Sequence, residues 1–138
     1  MSTFKDLAEA RAFAEKDRFA AVNGMKLEEL TDDGCVCTME LREDHRNALG
    51  GLMGGVIFSL ADFAFAIACN NDHCPSVAIE ISINYLRTAK GARLSARSRR
   101  IRSGRTTGVY QVSVLDEEER EIALFTGTCY KLAEKNGK

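Results

Sequence analysis

The polar and apolar positions divide the chain into an N-terminal helix, two strands, a central apolar helix and four further strands. Thr3-x-x-Asp6 resembles a capping box, and the helical repeat that follows it is expected to end at Asn23-Gly24. The apolar positions of that repeat are Phe4, Leu7, Ala8, Ala12 and Phe19. The pattern therefore predicts one helix before the first strand.

Six segments have the composition or the alternation of β-strands, at residues 25–30, 35–41, 76–88, 92–103, 106–116 and 120–132. Short polar breaks join the last four, which is typical of antiparallel hairpins. In the third segment four apolar residues alternate with polar ones, which predicts one buried and one solvent-facing side; the four are Ile79, Ile81, Ile83 and Tyr85. Residues 42–53 are polar and contain two glycines, which indicates a loop.

The most apolar segment, GGVIFSLADFAFAIACN, is expected to form a central helix that begins at Gly54-Gly55 and ends near Asn70-Asn71. A helix that is apolar nearly all round must be covered on most sides. Six strands can do this as a curved antiparallel sheet wrapped round the helix, so the predicted fold class is α+β. Such a sheet has open edge strands, which favours pairing with a second copy of the chain.

The 138 residues are enough for one domain, and no repeat or linker divides residues 1–138. Charged residues make up 28% and the formal net charge is −1, which gives no reason to expect a nucleic-acid partner. No run reaches the ~18 consecutive apolar residues of a membrane span, and the N-terminus has no apolar secretory core. We therefore expect no membrane partner.

Five cysteines, an odd number without a CxxC pair, favour reduced thiols and a cytoplasmic location. Cys35 and Cys37 would share one face of a strand as small core residues. His73 and Cys74 alone do not make a metal site, which needs more ligands at better spacing. His45 lies in the loop before the central helix, as a structural residue or as part of a pocket.

Asp62 is the one residue that does not fit the central helix, because apolar residues surround it. A buried carboxylate without a partner loses several kcal/mol of solvation or takes up a proton. It lies about two turns into the helix, beyond the reach of a cap, and Ser59 on the same face could donate a hydrogen bond. Two interpretations stay open: a structural acid that reaches water or a subunit interface, or a general base or nucleophile that faces a cleft.

The start of the same helix offers a second candidate. Gly54-Gly55 leave backbone N–H groups uncovered at the positive end of the helix dipole. Such donors can stabilise the oxyanion of an acyl carbonyl, an effect of roughly 10²–10³ in rate. Asn47, just upstream, could orient a water or a carbonyl. Tight helix-to-sheet packing is the alternative for the glycines, and an ordinary turn is the alternative for Asn47.

The segment N-x-x-G-G-x-M-G-G-V-I-F-S-L-A-D-F-A-F-A-x-A-C-N resembles the PaaI-like acyl-CoA thioesterases of the hotdog-fold superfamily. The similarity continues through SVAIEISINYLRTAKG and SGRTTGVYQVSVLDEEEREIALFTGTCYK and so covers most of the chain. It implies a hotdog fold, in which a sheet wraps a long central helix, and a homodimer that often assembles into a homotetramer. Acyl-CoA is the implied substrate, and no cofactor or metal is implied.

The resemblance also implies roles for single residues. The helix carboxylate of the family corresponds to Asp62, as base or nucleophile on a thioester bound mainly by the other protomer. The amide that polarises the thioester carbonyl corresponds to Gly54, and the family asparagine corresponds to Asn47. Gly55 and Ser59, which flank these groups, are expected to bind substrate.

Met53 departs from the family, which usually has a histidine before the two glycines. A thioether is a weak acceptor and no useful donor, so an orienting or polarising hydrogen bond is lost. Met53 is expected to bind substrate. Its presence is compatible with a slower enzyme, with an enzyme of altered chemistry, and with a protein that binds acyl-CoA without cleaving it. Thr88 stands where the family tends to have a proline, which matters less.

Arginines crowd residues 93–105, at Arg93, Arg97, Arg99, Arg100, Arg102 and Arg105. They form a solvated charged face, or some of them contact the phosphates of coenzyme A, for which the guanidinium fork is suited. The turn at 103–106 resembles the phosphate-side turn of the family, so Gly104 and Arg105 are the expected contacts. The turn at 116–119 is expected to be a solvated hairpin tip.

Residues and resemblance together favour an acyl-CoA thioesterase that releases a free acid and coenzyme A, with Asp62 and Gly54 as the reacting groups. The alternative is a non-catalytic protein that binds acyl-CoA or another acyl ligand. A hotdog dehydratase is less favoured, because no histidine is placed for its proton transfer, and no GxSxG motif supports a serine hydrolase. Phe58, Phe63 and Phe65 fit an aromatic-friendly acyl pocket or an ordinary core.

Overall fold

The computed structural model describes residues 2–133 and confirms the predicted α+β architecture, a six-stranded antiparallel sheet packed on one long helix. The helices are α1 (Leu7–Ala14), α2 (Arg18–Val22) and α3 (Gly54–Asp72). The strands are β1 (Lys26–Leu30), β2 (Gly34–Glu40), β3 (Ser76–Tyr85), β4 (Arg93–Ser103), β5 (Thr107–Leu115) and β6 (Glu121–Lys131). Residue 1 and residues 134–138 lie outside the described range, so the single-domain assignment for residues 1–138 stays a prediction.

The cap predicted for the N-terminal helix is shifted by one turn. Asp6, and not Thr3, caps α1, since Asp6 Oδ1 accepts the Glu9 N–H at 2.9 Å. The Thr3 N–H donates instead to Asn71 O on α3, at 2.7 Å. A long-range hydrogen bond to the end of the central helix therefore replaces the local capping box.

The single N-terminal helix that the repeat predicts is in fact two helices. Asp17 interrupts the repeat because its carboxylate caps a new helix, with Oδ1 accepting the Ala20 N–H at 3.0 Å. The predicted stop is confirmed, since α2 ends at Asn23 and Gly24 has a φ of +75°. This break turns α2 so that it packs near the middle of α3.

The sheet has the strand order β1-β2-β4-β5-β6-β3, and α3 packs across its inner face. Side chains alternate along β5, where Tyr110, Val112 and Val114 point into the core. On β6, a Cβ at Gly127 would lie 2.8 Å from the ring of Phe65, so glycine is what lets the helix approach the sheet. Each large apolar side chain buried here stabilises the fold by roughly 1.5–3 kcal/mol, which holds α3 firmly in place.

The prediction that one side of β3 is buried is wrong for the single chain. β3 is an edge strand, and its Val77, Ile79 and Tyr85 are 45%, 58% and 51% exposed. Ile81 and Ile83 are only partly buried. The alternation is nevertheless that of a covered strand, so β3 offers both apolar side chains and unpaired backbone groups to a further strand.

The β5–β6 turn is solvated at Glu117, Glu118 and Glu119, as its acidic sequence predicts, but the prediction is wrong for Asp116, which is only 1% exposed. Its carboxylate accepts N–H groups at 3.0 Å each from Lys90, Glu118 and Arg120. The Arg120 guanidinium pairs with it at 2.8 Å and also donates to Thr88 O at 3.0 Å. We call Asp116 and Arg120 the hairpin anchor, because they tie this turn to the β3–β4 loop.

The predicted core position of Cys35 and Cys37 is confirmed. Cys35 and Cys37 lie on the same side of β2, buried, with their sulfur atoms 3.9 Å apart. No disulfide links the five cysteines, all of which lie within residues 2–133. The cytoplasmic location stays a prediction.

The central helix is long and apolar enough to cross a membrane by length and composition alone. Most of it is buried inside the protein, however, and the core helix of a soluble protein meets the same two criteria. The expectation of no membrane partner stays a prediction.

Candidate active site

The N-terminus of α3 presents two backbone donors. Met53 occupies the N-cap with φ −65° and ψ 129°, and its side chain makes no capping hydrogen bond. Its carbonyl accepts the Val56 N–H at 2.9 Å. The N–H groups of Gly54 and Gly55 precede the first possible intrahelical bonds and have no acceptor in the described part of the chain. The helix therefore begins with amides that can receive an anion or an oxyanion.

His45 fixes the chain where it enters this helix. The ring is buried, its Nδ1 accepts the Arg42 N–H at 3.0 Å, and its Nε2 lies 3.1 Å from Asn23 Oδ1. Since Nδ1 accepts, Nε2 carries the proton and donates to Asn23. Burial, and then the charge of Arg42, lowers the pKa of His45, so the ring is neutral at neutral pH. The His45 carbonyl accepts the Met53 N–H at 3.0 Å, which ties the N-cap to α2. His45 is therefore a positioning residue for the helix start.

Asn47 organises the loop immediately before α3. Its Oδ1 accepts the N–H groups of Leu49 and Gly51 at 2.9 and 3.1 Å, and its Nδ2 donates to Leu52 O at 3.2 Å. One Nδ2 hydrogen remains for another acceptor. The predicted role in orienting a reacting group thus depends on this one donor, and the other contacts give Asn47 a structural task.

Asn47 and Gly54 line one side of a cavity of about 480 Å³, here called the loop cavity. Tyr85 and Thr88, from the end of β3 and the loop after it, line the same cavity. The Tyr85 hydroxyl donates to Gly54 O at 3.0 Å, and it would lie 3.2 Å from a Cβ at Gly54. Gly54 is therefore closely packed, whereas a Cβ at Gly55 would meet only Met53 Cγ, at 3.8 Å.

Asp62 lies half-buried in a cavity of about 110 Å³ between α2 and α3, here called the acid cavity. Six of its nine lining residues are apolar, with Phe19, Met25, Phe58 and Phe63 among them. Asp62 has no hydrogen bond and no ion pair with the residues that the structure describes. Phe65, by contrast, packs in the core on Tyr110 and Phe125, at 5.9 and 5.6 Å between ring centroids.

Burial raises the pKa of Asp62, and the negative charge of Asp17 raises it further. Asp17 lines the acid cavity too, and no lysine or arginine does. Ser59 also lines this cavity. Ser59 and Asp62 lie on the same face of the helix, but the hydrogen bond expected between them is not formed. An unpaired carboxylate with a raised pKa in an apolar cavity is a candidate general base or nucleophile.

Three of the predicted substrate-binding residues border one further space. Met53, Gly55 and Ser59 line a cavity of about 260 Å³, here called the entry cavity. Met25, Phe19 and Ser59 line both this and the acid cavity, so the two are neighbours. Gly54, in contrast, faces the loop cavity. Asp62 lies eight positions after Gly54, which places the two residues roughly 12 Å apart along the helix axis.

Gly104 and Arg105 lie far from the start of α3. The Gly104 carbonyl accepts from Lys131 Nζ at 2.6 Å, and Lys131 pairs with Asp72 at 3.2 Å. Asp72 is the last residue of α3, roughly 27 Å along the axis from Gly54. One protomer therefore does not bring the turn at 103–106 together with Gly54.

Of the clustered arginines, four have partners in the protein and two do not. Ion pairs join Arg93, Arg97 and Arg100 to carboxylates, and Arg99 donates to Gln111. The guanidinium groups of Arg102 and Arg105 form no ion pair or hydrogen bond within residues 2–133. The interpretation as a solvated charged face thus fits the four arginines that have partners. The guanidinium of Arg105 remains available, as its predicted contact with a coenzyme A phosphate requires. No cluster of three or more His, Cys, Asp or Glu suited to a metal ion occurs within the same residues.

A model of the Thioesterase superfamily matches residues 49–123, more than half of the chain. The chain belongs to the thioesterase superfamily. Acyl-coenzyme A thioesterase PaaI of Escherichia coli (strain K12) is 32% identical over 124 residues, which cover 89% of this chain and 89% of the relative. The resemblance to PaaI-like proteins stated from the sequence is thereby confirmed.

Solved structures of related proteins have the same fold as this thioesterase. The E. coli PaaI protein from the phenylacetic acid degradation operon superposes with a TM-score of 0.85 at 31% identity, over 90% of this chain and 91% of that one. An asparagine-to-aspartate mutant of phenylacetic acid degradation protein PaaI from Thermus thermophilus has a TM-score of 0.80 at 36% identity, over 84% and 100%. The protein is a hotdog-fold thioester hydrolase.

Sequence reasoning missed three residues of this region. Tyr85 was grouped with the buried side of β3, although its hydroxyl reaches Gly54. Asp17 lies inside the predicted helix, and only its position before a second helical run could have marked it as a cap. The bond of His45 to Asn23 has no signal in the sequence, because the two residues are 22 positions apart.

Proposed function

We propose that this thioesterase hydrolyses an acyl-CoA thioester to a carboxylic acid and coenzyme A. The observation that carries the proposal is the unpaired Asp62 carboxylate in its apolar cavity, on the helix whose first two amides have no acceptor among the described residues. Asp62 activates a water or attacks the carbonyl carbon, and the Gly54 N–H stabilises the oxyanion that forms. The substrate class named for the E. coli relative supports this assignment.

Each reaction site takes Asp62 from one protomer and Gly54 from its partner. Two groups roughly 12 Å apart along one helix cannot reach the same carbonyl carbon. The exposed apolar edge of β3 supports a homodimer, because a second copy would pair with it. Further association into a homotetramer follows from the family resemblance.

Coenzyme A is bound mainly by a protomer other than the one that supplies Asp62. Its phosphates contact Arg105, because the Arg105 side chain has no partner among the described residues of its own chain and its fork fits phosphate. Gly104 shapes the same turn, but its N–H donates to Thr107 O at 2.7 Å and is therefore not free to bind a phosphate. Asn47, with its remaining Nδ2 hydrogen, contacts the reacting group from the loop cavity. Met53, Gly55 and Ser59 contact the substrate where it enters.

Gly54→Pro tests the oxyanion assignment directly, by thiol release from a panel of acyl-CoAs. Proline removes the N–H at the first helical position, where a helix tolerates it, and the backbone angles of Met53 suit a residue before proline. We expect kcat to fall about 10²–10³-fold. Gly54→Ala is the matched control, since it adds a Cβ beside Tyr85 but keeps the N–H. Equal activities of the two variants would contradict the assignment.

Mixing two inactive variants tests whether the site is shared between protomers. Gly54→Pro supplies an intact Asp62, and Asp62→Asn supplies an intact Gly54, so each mixed dimer contains one complete site. Random exchange should restore about a quarter of the wild-type activity. If refolded mixtures stay as inactive as their parents, the site lies within one chain.

Met53→His tests what the methionine does. If the missing hydrogen bond slows the enzyme, the histidine variant should have a higher kcat than the wild type on the same panel. An unchanged kcat would show that this chain does not use that position for chemistry.

A further inference from the structure

The acid cavity has a larger neighbour, with which it shares two lining side chains. This inner cavity, of about 250 Å³, lies between α1, α2, β1 and α3, with Ala14, Ala21, Leu27, Met25 and Phe63 among its lining residues. Met25 and Phe63 also line the acid cavity, and Met25 lines the entry cavity as well. Met25 therefore borders all three cavities, and Met25 and Phe63 together border both the acid cavity and the inner cavity.

Both shared side chains are suited to separate the spaces. Met25 is 7% and Phe63 5% exposed, so neither is an ordinary surface residue. The backbone of Met25 is held by its N–H, which donates to Ala20 O at 2.9 Å. Its unbranched thioether chain can change rotamer without moving that backbone. Phe63 follows Asp62 directly and is fixed on α3.

The inner cavity suits an uncharged chain. Its rim carries two basic and two acidic residues, namely Arg11, Lys26, Glu15 and Glu28. Arg11 lies 3.8 Å from Glu28 and donates to Leu27 O at 2.8 Å, so it is already engaged. The rim thus has no net charge that would favour a charged tail, and the base of the cavity is apolar.

The sizes of the cavities divide acyl groups by length. The acid cavity, at about 110 Å³, is smaller than the ~150 Å³ apolar cavity that accommodates a benzene. An acyl group of a few carbons fills it, and a longer one has to enter the inner cavity. We propose that Met25 and Phe63 form a gate between the two cavities and so limit the enzyme to short, uncharged acyl groups. This inference rests on the proposed function, because it assumes that the thioester carbonyl reacts at Asp62 and that the acyl chain extends from there.

The test compares a short with a long acyl chain, butyryl-CoA with dodecanoyl-CoA. For each chain length kcat/KM is measured by thiol release, and Kd is measured for the non-hydrolysable ketone analogue in which a methylene replaces the sulfur. Met25→Ala should raise the long-to-short ratio about tenfold or more in both measurements, as expected for removing several atoms from a pocket wall. Adding Ala21→Trp to Met25→Ala should return the ratio toward the wild-type value, because Ala21 lines only the inner cavity.

Met39→Ala is the matched control, since Met39 is a buried methionine on β2 that lines none of the three cavities. Its ratio should equal that of the wild type. Thermal unfolding by circular dichroism checks that each variant is folded, and Phe63→Leu replaces Met25→Ala if the latter is not. A folded gate variant with the wild-type ratio would overturn the proposal.

The two kinds of measurement separate the gate from the reaction. If the wild type releases no thiol but binds the analogues, the proposed function fails, and the ratio of Kd values still decides on the gate. If hydrolysis is seen and the ratio does not respond to either gate variant, the gate fails alone. Binding of neither analogue by the wild type would overturn both.

Discussion

Asp62 and Asp116 are both largely removed from solvent, but their surroundings are opposite. Asp116 accepts three backbone N–H groups and pairs with Arg120 in the hairpin anchor. Asp62 has apolar walls, a second acid nearby and no donor among the described residues. The pKa of Asp116 is accordingly lowered to about 2, since its hydrogen bonds and the Arg120 charge outweigh burial. The pKa of Asp62 is raised, by burial and then by Asp17.

The difference separates an acid that holds the fold from one to which the proposed function assigns the chemistry. A buried carboxylate with a full set of donors stabilises the native state, because hydrogen bonds and a nearby positive charge compensate its ionised form for the loss of water. A carboxylate without donors costs stability, so its retention in a core helix points to a use outside the fold. The hairpin anchor contributes indirectly, since it fixes Thr88 at the loop cavity.

The largest expected effect comes from Asp62→Asn. It should lower kcat on acyl-CoA by about 10²–10⁴-fold, because the amide can neither accept a proton nor attack. Its free energy of unfolding should equal or exceed that of the wild type at neutral pH, since a raised pKa means that the ionised acid is unfavourable in the folded state. Thiol release and urea denaturation measure the two quantities. A folded variant with wild-type turnover would refute the catalytic role.

An aspartate-to-asparagine change at the hairpin anchor should instead lower stability and leave turnover unchanged. Asp116→Asn leaves the buried Arg120 contact unpaired and should lower the free energy of unfolding by about 3 kcal/mol. Below its unfolding transition the variant should retain turnover, since no substrate contact is removed. Glu118→Gln, on the same turn but exposed, is the control and should match the wild type in urea denaturation. A destabilised Glu118→Gln would show that the turn's overall charge matters, and not the anchor.

Acid should weaken the hairpin anchor within a defined pH range. The folded pKa of Asp116, about 2, is below its ordinary value of 3.8, so the unfolded state takes up the proton first as the pH falls. The stabilisation is complete above about pH 4 and is lost between there and pH 2. Unfolding free energies measured across this range should fall less steeply for Asp116→Asn than for the wild type. Parallel curves would contradict the assignment.

The smallest expected effect concerns the acid next to Asp62. Asp17→Asn removes a negative charge from the acid cavity but keeps a good N-cap for α2. The pKa of Asp62 should fall, and the acidic limb of the kcat/KM profile should move to lower pH. Asp6→Asn makes the same change at the cap of α1 and should leave the profile in place. If both variants shift it equally, the effect is one of general charge.

The tertiary structure decided what local patterns do not encode. The alternation along β3 is that of a covered strand, but the strand lies at the edge of the sheet. The acidic turn at 116–119 has the composition of a solvated tip, but Arg120 and the β3–β4 loop enclose its first residue. Met25 and Phe63 are 38 positions apart in the sequence, and the fold brings both to the wall of the acid cavity.

The sequence by itself determined the order and type of the elements, because hydrophobic periodicity depends only on which neighbours share a face. It also singled out Asp62, since a carboxylate among apolar helix residues is costly wherever the helix is placed. Which acid finds donors, which strand stays uncovered and which cavities join depend on contacts between distant segments. Those contacts exist only in the folded chain, so only the tertiary structure could show that Asp62 has no partner among the described residues and that Asp116 has several.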